Sequence, residues 1–163
     1  MANATAAPLL PAAGRSTEIR SPADGEAVAL AEVGDGVFSE RMLGDGAAVR
    51  PTSGHVLAPV SGQVVSVLPH AYGLRTDDGL DVLVHVGIDT VELEGRGFAP
   101  RVEQGAEVRA GDPLVQVDLD VLAGAGLDPT VVVVVPTTVT DGTVHGLEPR
   151  VLAAGDRLVV VTR

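Results

Sequence analysis

The sequence predicts an all-β domain, an antiparallel sandwich or barrel with internal duplication and at most one or two short helical turns. Three observations carry that expectation. Apolar bursts of four to eight residues alternate with Gly, Pro or Asp along the chain, which is strand length punctuated by turns. The chain has 20 Gly and 11 Pro to supply those turns. Two turn-and-strand motifs also recur. Ser21-Pro-Ala-Asp-Gly-Glu-Ala-Val28 echoes Ala58-Pro-Val-Ser-Gly-Gln-Val-Val65, and Ala110-Gly-Asp-Pro-Leu-Val115 echoes Ala154-Gly-Asp-Arg-Leu-Val159. Repeated turn–strand units point to a duplicated β architecture.

The elements follow in chain order. Residues 1–16 are rich in Ala and Pro without periodicity, and read as a disordered leader. Pro8 and Pro11 argue against a membrane-lying helix there. Residues 17–163 read as one domain of ordinary size. The clearest strands are Glu26–Leu30, Gly62–Val67, Val82–Val86 and Leu158–Val161. Gly34-Asp-Gly36 and Gly44-Asp-Gly46 lack the ligand spacing of a calcium loop and read as turns. Asp77-Asp78-Gly79 is a hairpin signal. One helical segment is expected, over Leu119–Ala125, with Asp118 as its cap.

Composition closes several functional classes. Apolar residues make up 45% of the chain and aromatics 2%, so the core must be built from Val, Leu, Ala and Ile. The net charge of −11 repels nucleic acid and suits basic protein partners. Without cysteine there is no thiol catalysis, disulfide or cysteine-held zinc. All 11 basic residues are arginine. No lysine is present to form a Schiff base, carry biotin or lipoate, or complete a nucleotide-phosphate loop, so direct use of ATP is not expected. No cofactor is called for. The longest valine run, Val131–Val135, is far too short to span a bilayer. No signal peptide is evident either. The protein is expected in the cytoplasm without stable membrane insertion.

Four histidines remain as candidate nucleophiles. His55 and His145 have turn-like neighbours and read as exposed loop residues. His85 sits in Val82-Leu-Val-His-Val-Gly-Ile88. Strand alternation points it away from Val84 and Val86, on the side of Leu83, and Gly87 leaves space beside the ring. A hairpin at Asp77–Gly79 would bring His70, in Leu68-Pro-His-Ala-Tyr-Gly73, onto the same face. With paired imidazoles, one ring can attack phosphorus while the other hydrogen-bonds the transferring oxygens. Two facing imidazoles can also bind zinc, though no cysteine or evident third ligand accompanies them.

The segment Gly79-Leu-Asp-Val-Leu-Val-His-Val-Gly-Ile-Asp-Thr-Val91 resembles the active-site segment of the glucose-type enzyme IIA of the bacterial phosphoenolpyruvate:sugar phosphotransferase system. It continues as Glu92-Leu-Glu-Gly-Arg-Gly-Phe98, then Val102-Glu-Gln-Gly105 and Val108-Arg-Ala-Gly-Asp112. Upstream, Ser21–Gly25, Val37-Phe38, Gly44–Gly46 and Ala58–Gly62 match in order, so the resemblance runs over about residues 18–163. It implies a β-sandwich in which His85 accepts the phosphoryl group and His70 stabilises it. It implies HPr as donor, a cysteine on the IIB domain of a sugar permease as acceptor, and phosphorylation-dependent binding of regulated enzymes or transporters. Asp35 and Asp89 would stand near the site to meet a basic partner, and Val37, Phe38 and Leu83 would form an apolar docking surface. A monomer suits such a shuttle. The chain departs from the family pattern at Leu68, where a threonine is common, and at Gly36, where a larger apolar residue is common. The sugar, glucose or N-acetylglucosamine among them, would be selected by the permease.

Overall fold

Short valine-rich runs cut by Gly and Pro satisfy their backbone N–H and C=O groups by pairing edge to edge. The computed structural model describes residues 15–34, 36–40, 43–136 and 143–163. Among them, fourteen strands form three sheets in which every pairing is antiparallel. The strands are β1 (Ser16–Arg20), β2 (Gly25–Val28), β3 (Gly44–Pro51), β4 (His55–Leu57), β5 (Gly62–Leu68), β6 (Ala71–Arg75), β7 (Asp81–Val86), β8 (Phe98–Pro100), β9 (Glu107–Val108), β10 (Pro113–Val117), β11 (Val131–Pro136), β12 (Thr143–His145), β13 (Val151–Leu152) and β14 (Arg157–Thr162). An eight-stranded sheet runs β9-β5-β6-β7-β11-β3-β2-β13. Two three-stranded sheets, β4-β10-β8 and β12-β14-β1, complete the fold. The all-β architecture expected from the turn–strand spacing is the one observed.

The sequence echo is a structural duplication. Ser21 donates its N–H to Asp156 O at 2.6 Å, and Gly155 donates back to Ser21 O at 2.9 Å. In the second copy Ala58 donates to Asp112 O, and Gly111 back to Ala58 O, each at 2.8 Å. Asp156 and Asp112 each fold their carboxylate onto a backbone N–H three residues earlier, Ala153 at 3.0 Å and Arg109 at 2.8 Å. Leu152 pairs with Gly25 as Val108 pairs with Gly62. The order of the large sheet therefore reads alike from either end, with β7 and β11 at its centre.

The central strands are covered on both faces. Val82, Val84 and Val86 point into the large core with Val131, Val133 and Val135. The opposite face carries a smaller cluster of Val28, Leu30, Val33, Phe38, Ala48, Ile88, Val132 and Val134, with Leu83 against it. Burial on both faces explains the uninterrupted run Val131–Val135, which alternation alone does not. Helix α2 (Leu119–Gly124) forms where expected, with the Asp118 carboxylate accepting from Asp120 N at 3.1 Å. A second helical turn, α1 (Gly36–Ser39), is too short to leave a periodic signal.

Four local expectations change. The strand expected over Glu26–Leu30 ends at Val28, and Leu30 opens a 3₁₀ turn, Leu30–Glu32. Gly44-Asp-Gly46 is the start of β3 rather than a turn. His55 and His145 are exposed as expected, but both lie on strands, β4 and β12. The leader expected over residues 1–16 lies outside the described residues up to position 14, and β1 begins at Ser16.

Candidate functional site

The site grows from the β6–β7 hairpin. Its turn is closed by Thr76 N donating to Leu80 O at 2.9 Å, and by Leu80 N donating to the Thr76 hydroxyl at 3.0 Å. Thr76 also bonds the Asp78 carboxylate. Arg75 pairs with Asp81 at 2.7 Å across the strand ends. This turn sets the register Ala71↔His85. His70 immediately precedes β6, and its carbonyl accepts from Val86 N at 2.7 Å. The hairpin therefore brings the two imidazoles together, with ring centroids 5.2 Å apart and planes at 75°.

Burial alternates along β7, and His85 is half-buried on the face it shares with Leu83. Phe38, from α1, packs its ring 5.0 Å from His85 at 60°. His85 Nδ1 lies 2.7 Å from Gly87 O. A carbonyl oxygen only accepts, so Nδ1 carries the hydrogen and Nε2 carries the lone pair. Burial lowers the pKa of His70 below its ordinary value, which favours its neutral form.

The space left by Gly87 has a different use from the one the strand pattern suggested. Its φ is +79°, and a Cβ there would meet Thr90 Cγ2 at 2.3 Å and Asp128 O at 3.1 Å. Glycine is needed to seat Thr90, and the Gly87 carbonyl then reaches the imidazole. Buried Thr90 donates its hydroxyl to Val86 O at 2.6 Å. Gly87 N and Ile88 N donate to Thr130 O and Asp128 O, each at 2.9 Å. The segment after His85 is thereby held against the residues leading into β11. Thr90 and Asp128 were not singled out in the sequence: Thr90 reaches back only to Val86 and Gly87 but shows its packing only in the fold, and Asp128 meets Ile88 from a segment forty residues away.

Of the expected docking residues, Val37 is exposed, Phe38 is buried edge-on against His85, Leu83 is half-buried, and Asp89 is exposed. Val37, Phe38 and Asp89 line an open depression of about 220 Å³ with His85. Leu43 and Val91 join them, two exposed apolar side chains that sequence reasoning did not select. Asp35 lies outside the described residues. A larger depression, about 610 Å³, runs along Gly54, Gly97–Ala99 and Gln116–Asp120, and no histidine lines it. Among the described residues, no group of three or more His, Cys, Asp or Glu could hold a metal ion. No helix among them is long and apolar enough to cross a membrane.

A nitrogen lone pair, an adjacent imidazole with an N–H to donate, and an apolar rim suit transfer of a small anionic group between proteins. Residues 17–140 match the family described as phosphoenolpyruvate-dependent sugar phosphotransferase system, EIIA 1. The chain is 51% identical over 119 residues to the PTS system glucose-specific EIICBA component of Streptococcus pneumoniae serotype 4, which covers 72% of this chain and 16% of that protein. It is 39% identical over 152 residues to the PTS system beta-glucoside-specific EIIBCA component of Halalkalibacterium halodurans, covering 92% of this chain and 24% of that protein. The chain thus spans a quarter or less of the length of these curated relatives. Among solved structures, the glucose permease IIA from Mycoplasma capricolum superposes with a TM-score of 0.81 at 38% identity, over 90% of this chain and 96% of that one.

Proposed function

This chain belongs to the EIIA 1 family of the phosphoenolpyruvate-dependent sugar phosphotransferase system, and we propose that His85 is the residue on which it carries the phosphoryl group. The family makes it a phosphotransfer component of sugar transport. The observation that carries the assignment to His85 is the 2.7 Å contact between its Nδ1 and the Gly87 carbonyl, an acceptor that calls for the hydrogen on Nδ1 and leaves Nε2 as the basic nitrogen.

The mechanism follows from that nitrogen. The Nε2 lone pair attacks the phosphorus of a phosphohistidine on the donor, HPr. The new N–P bond forms as the donor's N–P bond breaks, and the donor nitrogen keeps the electron pair. Nδ1–H stays on the Gly87 carbonyl, so the imidazolium charge created on phosphorylation meets an acceptor already in place. His70, 5.2 Å away between ring centroids, donates an N–H to the phosphoryl oxygens. A cysteine thiolate on the IIB domain of a sugar permease then attacks phosphorus, and Nε2 leaves with its lone pair. A tenfold bias in either direction would take only about 1.4 kcal/mol, so the site must shelter the phosphoryl group without gripping it. The apolar rim of Val37, Phe38 and Leu83 serves that purpose and doubles as the docking surface. Asp35 and Asp89 pair with basic residues of the donor.

The domain, residues 17–163, acts as a cytoplasmic monomer that shows one face to two partners in turn. Phosphorylation adds negative charge to that face, so regulated enzymes or transporters that dock there distinguish the two forms. The sugar, with glucose and N-acetylglucosamine among the candidates, is chosen by the permease.

Phosphorylation by phosphoenolpyruvate and the general phosphotransferase proteins tests the assignment. His85→Gln is expected to take up no label, a loss of more than a thousandfold. His70→Gln is expected to accept label but pass it on to IIB slowly. Wild-type labelling of His85→Gln would overturn the acceptor assignment. Loss of labelling in His70→Gln would show that the two roles are merged.

A further inference from the structure

Among the described residues, no hydrogen bond holds the His70 ring, so its aim is set by the backbone that carries it. That backbone is an unusual hairpin turn. Leu68 pairs with Ala71, leaving Pro69-His70 as a two-residue loop between β5 and β6. Two-residue hairpins normally use turns with positive φ, whose twist matches the strands, and are filled by Asn or Gly. Proline locks φ near −65°. His70 is not among the residues with positive φ, which outside glycine are Asp89 and Glu94. The loop therefore has the turn geometry that splays strands, and it needs ties from outside.

Two ties are present, one on each carbonyl of the loop. Val86 N donates to His70 O at 2.7 Å. The Tyr72 hydroxyl donates to Pro69 O at 2.9 Å. Tyr72 is the largest fully buried side chain in the molecule's described part, with its ring in the main core. Burial raises the pKa of its hydroxyl far above the ordinary value, so the proton that makes the bond stays on. Leu68, two residues before His70, is exposed and apolar and offers no hydrogen bond in its place.

We propose that Tyr72 is a positioning residue for phosphotransfer, whose hydroxyl fixes the Pro69-His70 turn and so aims the His70 imidazole at the group on His85. This rests on the role given to His70 above. Tyr72 touches neither phosphate nor partner. Its effect passes through the turn, and a phenylalanine there would fill the core equally well while releasing the turn.

The test compares Tyr72→Phe, His70→Gln and the double variant, measuring label transfer from the phosphorylated protein to IIB. Tyr72→Phe is expected to slow onward transfer between about twofold and about tenfold, the range set by one neutral hydrogen bond. It should add nothing when His70 is already glutamine. The nuclear magnetic resonance titration of the His70 ring, which faces His85, should move up toward its ordinary value as the loosened turn lets water in. An equal slowing by Tyr72→Phe in the His70→Gln background would overturn the proposal, since the effect would bypass His70. So would an unmoved His70 titration with transfer at the wild-type rate. If His70→Gln alone leaves transfer unchanged, the role of His70 fails instead, and the ring titration still decides whether Tyr72 holds that turn.

Discussion

The two halves of the duplicated sheet place the same backbone in the same positions and use them for different ends. A Cβ on Gly25 would meet Arg50 O at 1.9 Å, and one on Gly62 would meet Arg75 O at 2.1 Å. Arg50 and Arg75 are thus counterparts. Counting back along β3 and β6 matches Asp45 to His70 and Gly46 to Ala71. Gly46 pairs with Val134 as Ala71 pairs with His85. The counterparts of the histidine pair are therefore Asp45 and Val134. Val134 is 1% exposed in the smaller apolar cluster, whereas His85 is half-buried at that cluster's edge beneath Phe38. The architecture is shared by both halves. What sets one half apart is a pair of imidazoles, one of them resting on the Gly87 carbonyl, where the other half has Asp45, Val134 and Pro136.

The strongest way to break this equivalence is at the two glycines. Gly25→Ala and Gly62→Ala should each drive a Cβ into a carbonyl oxygen that strand pairing holds in place. The loss should be about 3 kcal/mol or more for each. Urea unfolding of the two variants tests it. Similar losses would uphold the duplication as a working symmetry, and tolerance of one change alone would show that the halves are not mechanically alike.

A smaller effect separates scaffold from chemistry. Val134→His, placed in the His85→Gln background, puts an imidazole at the matching position. It should destabilise by about 2–4 kcal/mol, from burying a polar ring and overfilling the cluster. It should not restore labelling, because Asp45 would face the phosphoryl oxygens with a carboxylate where His70 offers an N–H. Labelling at position 134 in a phosphotransfer assay would mean that the sheet by itself suffices.

How much of this was legible in the sequence follows the range of each interaction. The turn at Asp77–Gly79 and the alternation of Val82–Val86 are local, and together they place His70 beside His85. The cap at Asp118 is local too, and α2 forms behind it. The repeated Ser/Ala-Pro-x-x-Gly and Ala-Gly-Asp motifs disclose the duplication, though not that each copy of one motif bonds a copy of the other. Gly87 was visible but misread, because its constraint comes from Thr90 and Asp128 rather than from the neighbouring ring. Tyr72 gave no signal, since an aromatic in a strand reads as core and only the fold shows its hydroxyl reaching back to Pro69. The α1 turn that delivers Phe38 is four residues long, too short for periodicity to register.

The smallest expected effect is the dependence of stability on pH that the His70 ring should give the histidine half. Burial depresses the His70 pKa below 6.5, while in the unfolded chain the ring regains its ordinary value. As pH falls through 6.5, the unfolded state binds the proton first. Stability contributed by the neutral ring is full above that point and declines with acid until the folded-state pKa is passed, where the decline stops. Urea midpoints measured from pH 7.5 down to about pH 5 should fall less in His70→Gln than in the wild type. The exposed His55 and His145, kept in both proteins, cancel in that difference. An identical pH slope in the two proteins would mean that the His70 ring is as well hydrated folded as unfolded. The imidazole beside His85 would then lack the low-dielectric setting that would strengthen the proposed hydrogen bond to a transferring phosphoryl group.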